Sequence, residues 1–225
     1  MKLAIFDVDG TLVDSHAMIT AAMRRAFADA GLDAPDTRRM LSIVGLSLHD
    51  AMAALTPEHE PSIHRRLADA YKQAFWSLRA AGDHPEHLFE GARGLLERLR
   101  ARDDVLLGIA TGKSRRGVDH LIAVHGFEGW FATIQTSDHH PSKPHPSMVT
   151  AALAETGCGP EATIMIGDTS FDMAMARRAG VLAAGVTWGN HPLAELEGAG
   201  AHRIANDFNE LERHLDSLWQ KERLT

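Results

Sequence analysis

Short apolar runs that end in turn residues recur along this chain, and helical patterns separate them. The first run covers residues 2–8 and stops at Asp9-Gly10-Thr11. Four later runs have similar lengths and boundaries, at residues 105–110, 131–135, 163–166 and 181–186. Runs that are short, apolar throughout and bounded by Gly, Asp, Pro or Thr are typical of buried parallel strands. Strands that alternate with helices predict an α/β fold with a doubly wound parallel sheet.

The interval between the first two runs breaks this alternation. It contains helical patterns and no convincing strand, with amphipathic stripes over residues 18–30 and 63–78. Two shorter helices are predicted at residues 37–44 and 48–55, on either side of a turn at Gly45. A direct crossover between parallel strands needs far fewer than the about 75 residues present here. We therefore interpret the interval as an inserted, all-helical unit.

This insertion divides the chain into two predicted domains. The α/β core comprises residues 1–14 and 91–225, and the helical cap comprises residues 15–90. The predicted hinges are Asp14-Ser15 and the polar stretch 82–86.

Charge and composition exclude several classes of protein. The formal net charge is −7 and no basic face offsets it, which argues against a nucleic-acid partner. The longest apolar run is far too short to span a membrane, and the first residues lack the pattern of a signal peptide. The single cysteine, Cys158, cannot form an internal disulfide and fits a reducing compartment. We expect a cytoplasmic protein, a monomer or a homodimer, that binds neither nucleic acid nor a membrane.

Polar residues follow four of the predicted strands, at the point where each strand ends. In chain order they are Asp7 and Asp9, then Thr111 and Gly112, then Lys143, and finally Asp168 and Asp172. Ligands of open parallel sheets bind outside the carboxyl ends of the strands, near the point where the strand order reverses. These residues are therefore expected to meet in one site.

The chemistry of that site follows from its residue types. Several carboxylates in one crevice cannot all stay ionised without a cation between them. Oxygen ligands without Cys select a hard cation, and Mg²⁺ is the first choice. Lys143, the Thr111 hydroxyl and the Gly112 amide supply positive or donating groups for an anion. A divalent cation beside such groups predicts a phosphoryl site.

The combination of motifs resembles the haloacid dehalogenase superfamily, and within it the phosphoglycolate phosphatase-like subfamily. The matching segments are Asp7-Val8-Asp9-Gly10-Thr11, Thr111-Gly112, Lys143-Pro144 and Gly167-Asp168-Thr169-Ser170-Phe171-Asp172. The resemblance runs from residue 1 to about residue 215 and includes the helical cap. It implies a Rossmann-like core and a Mg²⁺-dependent phosphatase that acts on a small phosphorylated metabolite, with phosphoglycolate as the leading substrate.

The resemblance also implies residue roles. Asp7 is the nucleophile that forms an aspartyl-phosphate, and Asp9 is the general acid and then the general base. The metal site is implied at Asp7, Asp9, Asp168 and Asp172, where Asp172 orients metal-bound water or Lys143. Gly10, Thr111, Gly112 and Lys143 bind the substrate, and Thr111 and Lys143 stabilise the transferring phosphoryl group.

Two further residues are candidates for recognition of the rest of the substrate. His49 follows the cap turn that approaches the active site in relatives, and is a candidate contact for a substrate carboxylate. Lys113 lies beside Thr111 and is a candidate for a second anionic group. The sequence is equally consistent with both residues being solvent-facing side chains that do not contact the substrate.

Several alternatives remain open at this stage. A phosphomutase or a pyrophosphatase of the same superfamily shares every core motif. A receiver-like phosphoacceptor signalling domain is the alternative from a different class, although its phosphorylated Asp follows a middle strand and it lacks a helical insertion. Phosphonate cleavage needs a cap lysine, and the only one, Lys72, reads as a surface residue. A zinc site at His139, His140 and His145 is disfavoured because the spacing is irregular and no thiol accompanies them.

Overall fold

The computed structural model describes residues 1–221 and has a six-stranded parallel sheet at its centre. The strands are β1 (Lys2–Phe6), β2 (Val13–Asp14), β3 (His87–Leu88), β4 (Val105–Thr111), β5 (Thr133–Thr136), β6 (Thr163–Gly167), β7 (Leu182–Val186) and β8 (Arg203–Ala205). The helices are α1 (His16–Asp29), α2 (Thr37–Leu41), α3 (Leu48–Leu55), α4 (Pro61–Ala81), α5 (Ala92–Arg100), α6 (Arg115–His125), α7 (Ser147–Thr156), α8 (Ser170–Arg178), α9 (Leu193–Gly198) and α10 (Phe208–Lys221).

The strand order of the main sheet is β5-β4-β1-β6-β7-β8, and all neighbouring pairs are parallel. β1 occupies the centre, where Phe6 is level with Ile109 of β4 and Ile166 of β6. The order reverses beside β1, so the crevice for a ligand is expected at its carboxyl end. The predicted α/β fold with a doubly wound parallel sheet is confirmed.

Both faces of the sheet are buried, which explains why its strands are apolar throughout rather than alternating. Ala4 and Phe6 point into one apolar cluster, together with residues of α5, α6 and α10. Leu3 and Ile5 point into a second cluster on the other face, with residues of α7 and α8. Successive side chains of a strand point to opposite faces, so a strand covered on both sides must be apolar at every position.

The helices α1–α4 form their own apolar clusters, made only of residues from this segment. One cluster contains Met23, Phe27 and Leu67, and the other contains Ile19 and Phe75. The helix at Leu48–Leu55 matches the prediction, and Ser47 accepts a hydrogen bond from the Asp50 amide at its start. None of the helices within residues 1–221 has the length and apolar character needed to cross a bilayer.

Two parts of the strand prediction were wrong. The interval 15–90 does contain a strand, because β3 pairs antiparallel with β2 next to the predicted hinges. The main sheet also has a sixth strand, β8, that the apolar runs did not indicate. These strands have only two or three residues, which is too short for a periodic pattern to form.

Candidate active site

Asp7 follows the last residue of the central strand and lies at the bottom of the crevice. Its amide donates a hydrogen bond to the carbonyl of Ile166 (2.9 Å), which continues the ladder for one residue. Oδ1 accepts from the amide of Val8 (2.7 Å). Oδ2 lies 2.9 Å from Nζ of Lys143 but makes no hydrogen bond of acceptable geometry within residues 1–221, although Asp7 is only 1% exposed.

Three buried carboxylates meet at this point. Asp7, Asp168 and Asp172 each offer an oxygen, and these oxygens lie within 4.8 Å of one another. Burial raises the pKa of Asp7 to about 6 and that of Asp168 to about 7, with repulsion by Asp172 adding to both. Such a set, in which three acids share the single buried ammonium of Lys143, fits a hard divalent cation.

Asp168 is held in place by three donors. Thr11 donates from its hydroxyl to Oδ1 (2.8 Å), while the amide and the side-chain Nδ2 of Asn190 both donate to Oδ2 (2.8 Å each). Gly10 and Gly189 lie so close that a Cβ at either position would collide with this carboxylate. Gly10, predicted as a substrate-binding residue, is thus placed against Asp168, and its φ of +85° suits glycine.

Lys143 is fully buried and bridges two of the acids. Its Nζ donates to Oδ1 of Asp172 (2.6 Å) and lies beside Asp7, and the Lys143–Pro144 peptide bond is cis. Burial disfavours the charged lysine, but Asp172 and Asp7 outweigh it and raise the pKa of Lys143. Asp172 also accepts from the amide (3.1 Å) and hydroxyl (2.6 Å) of Thr169 at the start of α8, so its orientation is fixed from both sides.

Asp9 points to the other side of the crevice and belongs to a chain of four charged groups. Lys113 donates from Nζ to both oxygens of Asp9 (2.8 and 3.1 Å) and to Oε1 of Glu86 (2.9 Å). Arg79 donates to the same Glu86, and its Nε and Nη1 make no hydrogen bond among the described residues. The guanidinium stacks on Phe75, 4.7 Å from the ring centroid.

Opposite charges govern the ionisation of this chain. Burial raises the pKa of Glu86, but Lys113 and Arg79 outweigh it and hold the pKa below its usual value. Burial likewise lowers the pKa of Lys113, but Asp9 and Glu86 outweigh it and raise the pKa. Sequence reasoning missed Glu86 and Arg79, since neither belongs to a motif and Glu86 lay in a predicted hinge.

Thr111 and Gly112 lie where β4 ends, directly beneath the helical segment. Thr111 is 1% exposed, and its hydroxyl accepts from the Lys113 amide (3.2 Å). A Cβ added to Gly112 would lie 2.6 Å from the carbonyl oxygens of both Gly45 and Leu46. The helical segment therefore approaches the core most closely at a position that only glycine can occupy without displacement.

A second contact closes the same region. The amide of Ser47 donates to Oγ of Ser142 (2.7 Å), and His191 lies 3.1 Å from the carbonyl of Ser42. His49 does not take part: it is 53% exposed, lies 3.8 Å from Asp50 and does not line the crevice. The structure therefore brings together every predicted site residue except His49.

A cavity of about 390 Å³ lies between the helices and the strand ends. Its floor includes Asp7, Asp9, Thr111, Gly112 and Lys113, and its roof is formed by α1, α3, α4 and the turn at Gly45. A cavity of this size, mostly apolar and with a few convergent polar groups, is typical of a small-molecule site.

Neither the histidine candidates for a metal site nor Lys72 belongs to the cluster of buried acids. Within residues 1–221 the three acids are the only cluster of potential metal ligands, so His139, His140 and His145 form none. His140 instead contacts Gln135 (2.9 Å). Lys72 is 60% exposed and lies 3.4 Å from Asp69, although it borders the mouth of the cavity.

Comparison with known proteins identifies the family. A model of the haloacid dehalogenase-like hydrolases matches residues 4–186. The chain belongs to this family. The probable phosphatase IndB of Dickeya dadantii is 33% identical over 93% of this chain and 91% of its own length. The pyrophosphatase PpaX of Bacillus pumilus is 30% identical over 84% of both chains. The phosphoglycolate phosphatase of Synechococcus elongatus is 29% identical over 84% of this chain and 85% of its own.

Family membership confirms the resemblance noted in the sequence. This haloacid dehalogenase-like protein is an enzyme of the hydrolase class, and its similarity to named phosphatases supports the predicted phosphoric monoester hydrolase. The alternative of a receiver-like phosphoacceptor domain is thereby set aside. The roles of individual residues remain predictions.

Proposed function

We propose that this protein is a Mg²⁺-dependent phosphatase that hydrolyses a small phosphate monoester through an aspartyl-phosphate on Asp7. The observation that carries the proposal is the cluster of buried carboxylates around Asp7, whose Oδ2 faces Lys143 and accepts no hydrogen bond of acceptable geometry from the described residues. A nucleophile needs a lone pair that is not taken up by hydrogen bonds, and a buried acceptor of this kind is consistent with a catalytic role.

The residues present fit a bound Mg²⁺. The side chains of Asp7 and Asp168 and the backbone carbonyl of Asp9 would hold it, with Asp172 acting through Lys143 or a water. When bound, the ion supplies positive charge that screens the Asp7 carboxylate from the negative phosphoryl oxygens.

The residues of this chain divide the reaction into two steps. An oxygen of Asp7 attacks phosphorus, and the bond from phosphorus to the ester oxygen breaks. Asp9 enters this step protonated, with Lys113 still paired to Glu86, and gives its proton to that leaving oxygen. Asp9 then takes a proton from the water that attacks the aspartyl-phosphate, which releases inorganic phosphate and restores Asp7.

Three groups hold the phosphoryl oxygens during transfer. Lys143 provides a buried positive charge, the Thr111 hydroxyl a donor, and the Gly112 amide a second donor beneath the turn at Gly45. Donors fixed by their own packing stabilise the developing charge without reorganising, so their contribution is largest in the transition state.

The domain division belongs to the same proposal. Residues 15–90 form a cap over a core of residues 1–14 and 91–225, of which residues 222–225 lie outside the described part. The separate apolar clusters of α1–α4 support this division. Closure of a cap excludes water from the reactive intermediate. We further infer a cytoplasmic monomer or homodimer.

Two other activities of the superfamily remain to be tested. A pyrophosphatase has support from the relative named so. A phosphomutase shares the core motifs, but it would convert one phosphate ester into another without releasing phosphate.

The test is release of inorganic phosphate by the purified protein from small monoesters, hexose phosphates and pyrophosphate. We expect turnover with Mg²⁺, loss in EDTA and recovery when Mg²⁺ is restored. Asp7→Asn should lack turnover and keep the native fold, while Asp69→Asn, a change at an exposed position of α4, should behave like the wild type. Wild-type activity in Asp7→Asn, or rates unaffected by chelation, would refute the mechanism.

A further inference from the structure

The cavity above Asp7 is walled by apolar side chains on the side that would receive the leaving group. The six that matter here are Ile19, Met23, Ile43, Leu46, Phe75 and Trp76. Ile19, Met23, Ile43 and Phe75 are at most 8% exposed, and Trp76 is half-buried. Contact between these side chains and an apolar group on the substrate makes binding more favourable, whereas contact with water or a carboxylate does not.

The charged groups at the inner end of the cavity are already neutralised. Lys113 is shared between Asp9 and Glu86, and Arg79 is paired with Glu86, so two cations face two acids. A carboxylate on the leaving group would have to compete with Asp9 or Glu86 for Lys113. Nε and Nη1 of Arg79 have no acceptor among the described residues, but the guanidinium lies over the rings of Phe75 and Trp76. An acidic leaving group would therefore have to displace an existing contact to reach a cation at this depth.

The remaining cations lie at the solvent edge. Arg116 is exposed and stacks on Trp76, 3.8 Å from the ring centroid, and Lys72 projects into solvent near Asp69. Trp76 thus separates an apolar interior from a basic rim.

We propose that the leaving group of the substrate is a ring-sized, largely apolar or planar alcohol that packs between α4 and the turn at Gly45. This inference rests on the proposed phosphatase function and narrows its substrate class. The ring lies against Phe75 and Trp76 on one side and against Ile43 and Leu46 on the other. Phosphoglycolate, the leading substrate by sequence resemblance, and pyrophosphate are then poor substrates because each carries a second anionic group into this interior.

The test compares two esters that differ in one ring. We expect kcat/KM for 2-phenylethyl phosphate to exceed that for ethyl phosphate, phosphoglycolate and pyrophosphate at least tenfold, which corresponds to about 1.4 kcal/mol. Inhibition by 2-phenylethylphosphonate and ethylphosphonate, which cannot be hydrolysed, gives the same comparison for binding alone. Equal or faster turnover of any of the three smaller substrates overturns the inference and leaves the phosphatase intact.

A pair of variants ties the preference to the wall. Trp76→Ala should bring the ratio of kcat/KM for the two alkyl esters towards one, and Trp76→Phe should retain it. A ratio that Trp76→Ala leaves unchanged contradicts the inference. If no ester, phosphoglycolate included, releases phosphate in the presence of Mg²⁺, the proposed function itself fails and the inference with it.

Discussion

Lys143 donates a 2.6 Å hydrogen bond to Asp172, and both side chains are closed off from solvent. The same ammonium group lies 2.9 Å from Asp7. One buried cation thus compensates two acids, while the donors to the Asp168 carboxylate in the described part of the chain, Thr11 and Asn190, are neutral. This asymmetry determines how the site responds to substitution, to pH and to a metal ion.

Lys143→Met should destabilise the metal-free protein by roughly 3–5 kcal/mol, because it leaves Asp7 and Asp172 buried without a counterion. The loss should be larger at pH 8 than at pH 5, since the acids can take up protons at low pH. Urea unfolding in EDTA measures this loss in the free energy of unfolding. Removal of this donor should also lower kcat by about 100-fold or more. Lys72→Met, at an exposed lysine, is the control, and equal losses in the two variants would contradict the prediction.

Asp168→Asn should make stability less dependent on pH. The pKa of Asp168 is raised to about 7, so between about pH 4 and pH 7 the folded protein binds a proton that the unfolded chain releases. The free energy of unfolding therefore falls as pH rises through this window, by about 1.4 kcal/mol for each unit of pKa difference. An asparagine does not titrate, so the variant lacks this loss of stability. Its side-chain oxygen can accept from Asn190, and its amide group can donate to the hydroxyl of Thr11.

The measurement is urea unfolding in EDTA at pH 5 and pH 8. From pH 5 to pH 8, the free energy of unfolding should fall less for Asp168→Asn than for the wild type. Added Mg²⁺ should stabilise only the wild type at pH 8. Asp119→Asn, at an exposed aspartate of α6, should follow the wild type. A parallel fall of the wild type and Asp168→Asn would count against the raised pKa.

Glu86→Ala should destabilise the protein by roughly 3–5 kcal/mol, because Arg79 and Lys113 then lose a shared, buried acceptor. Arg79 is the more affected, since two of its nitrogens already lack hydrogen bonds. Glu86→Gln keeps an acceptor oxygen and should lose less. Denaturant unfolding checks both variants against Glu58→Ala, whose side chain is 66% exposed. Losses no greater than that of Glu58→Ala would mean that the chain of charges contributes nothing measurable.

Gly112→Ala should lower kcat/KM tenfold or more, because the added methyl group displaces the turn at Gly45 and Leu46. Overpacking of this kind costs about 1–3 kcal/mol. The added methyl group should oppose closure of the helical segment over the core more than it opposes folding. We therefore expect a larger effect on kcat/KM than on the free energy of unfolding. Gly198→Ala, where nothing lies within 4 Å of the added carbon, should leave steady-state rates unaltered.

Much of the fold could be predicted because the central strands are apolar at every position and buried on both faces. The strand at 105–110 and the helix at 48–55 are found within a residue of their predicted limits. β2, β3 and β8 could not be predicted, since a strand of two or three residues carries no period and gets its pairing from neighbours distant in sequence.

The residues of the site likewise differ in whether their positions could be predicted from the sequence. Asp7 and Asp168 sit in motifs whose positions at strand ends follow from topology, so their meeting could be predicted. The pairing of Lys113 with Glu86 could not, because it depends on where a loop after α4 returns to the core. His49 was placed at the correct turn, but the direction of a side chain at the start of a helix follows from packing and not from its position in sequence.

Ser142, which accepts the hydrogen bond from the Ser47 amide, is the immediate neighbour of Lys143. The overlying turn and Lys143, the lysine proposed to hold the phosphoryl group, are therefore linked through adjacent residues of one loop. We therefore expect the turn and the lysine to move together, so that the phosphate leaves the enzyme when the turn separates from the core.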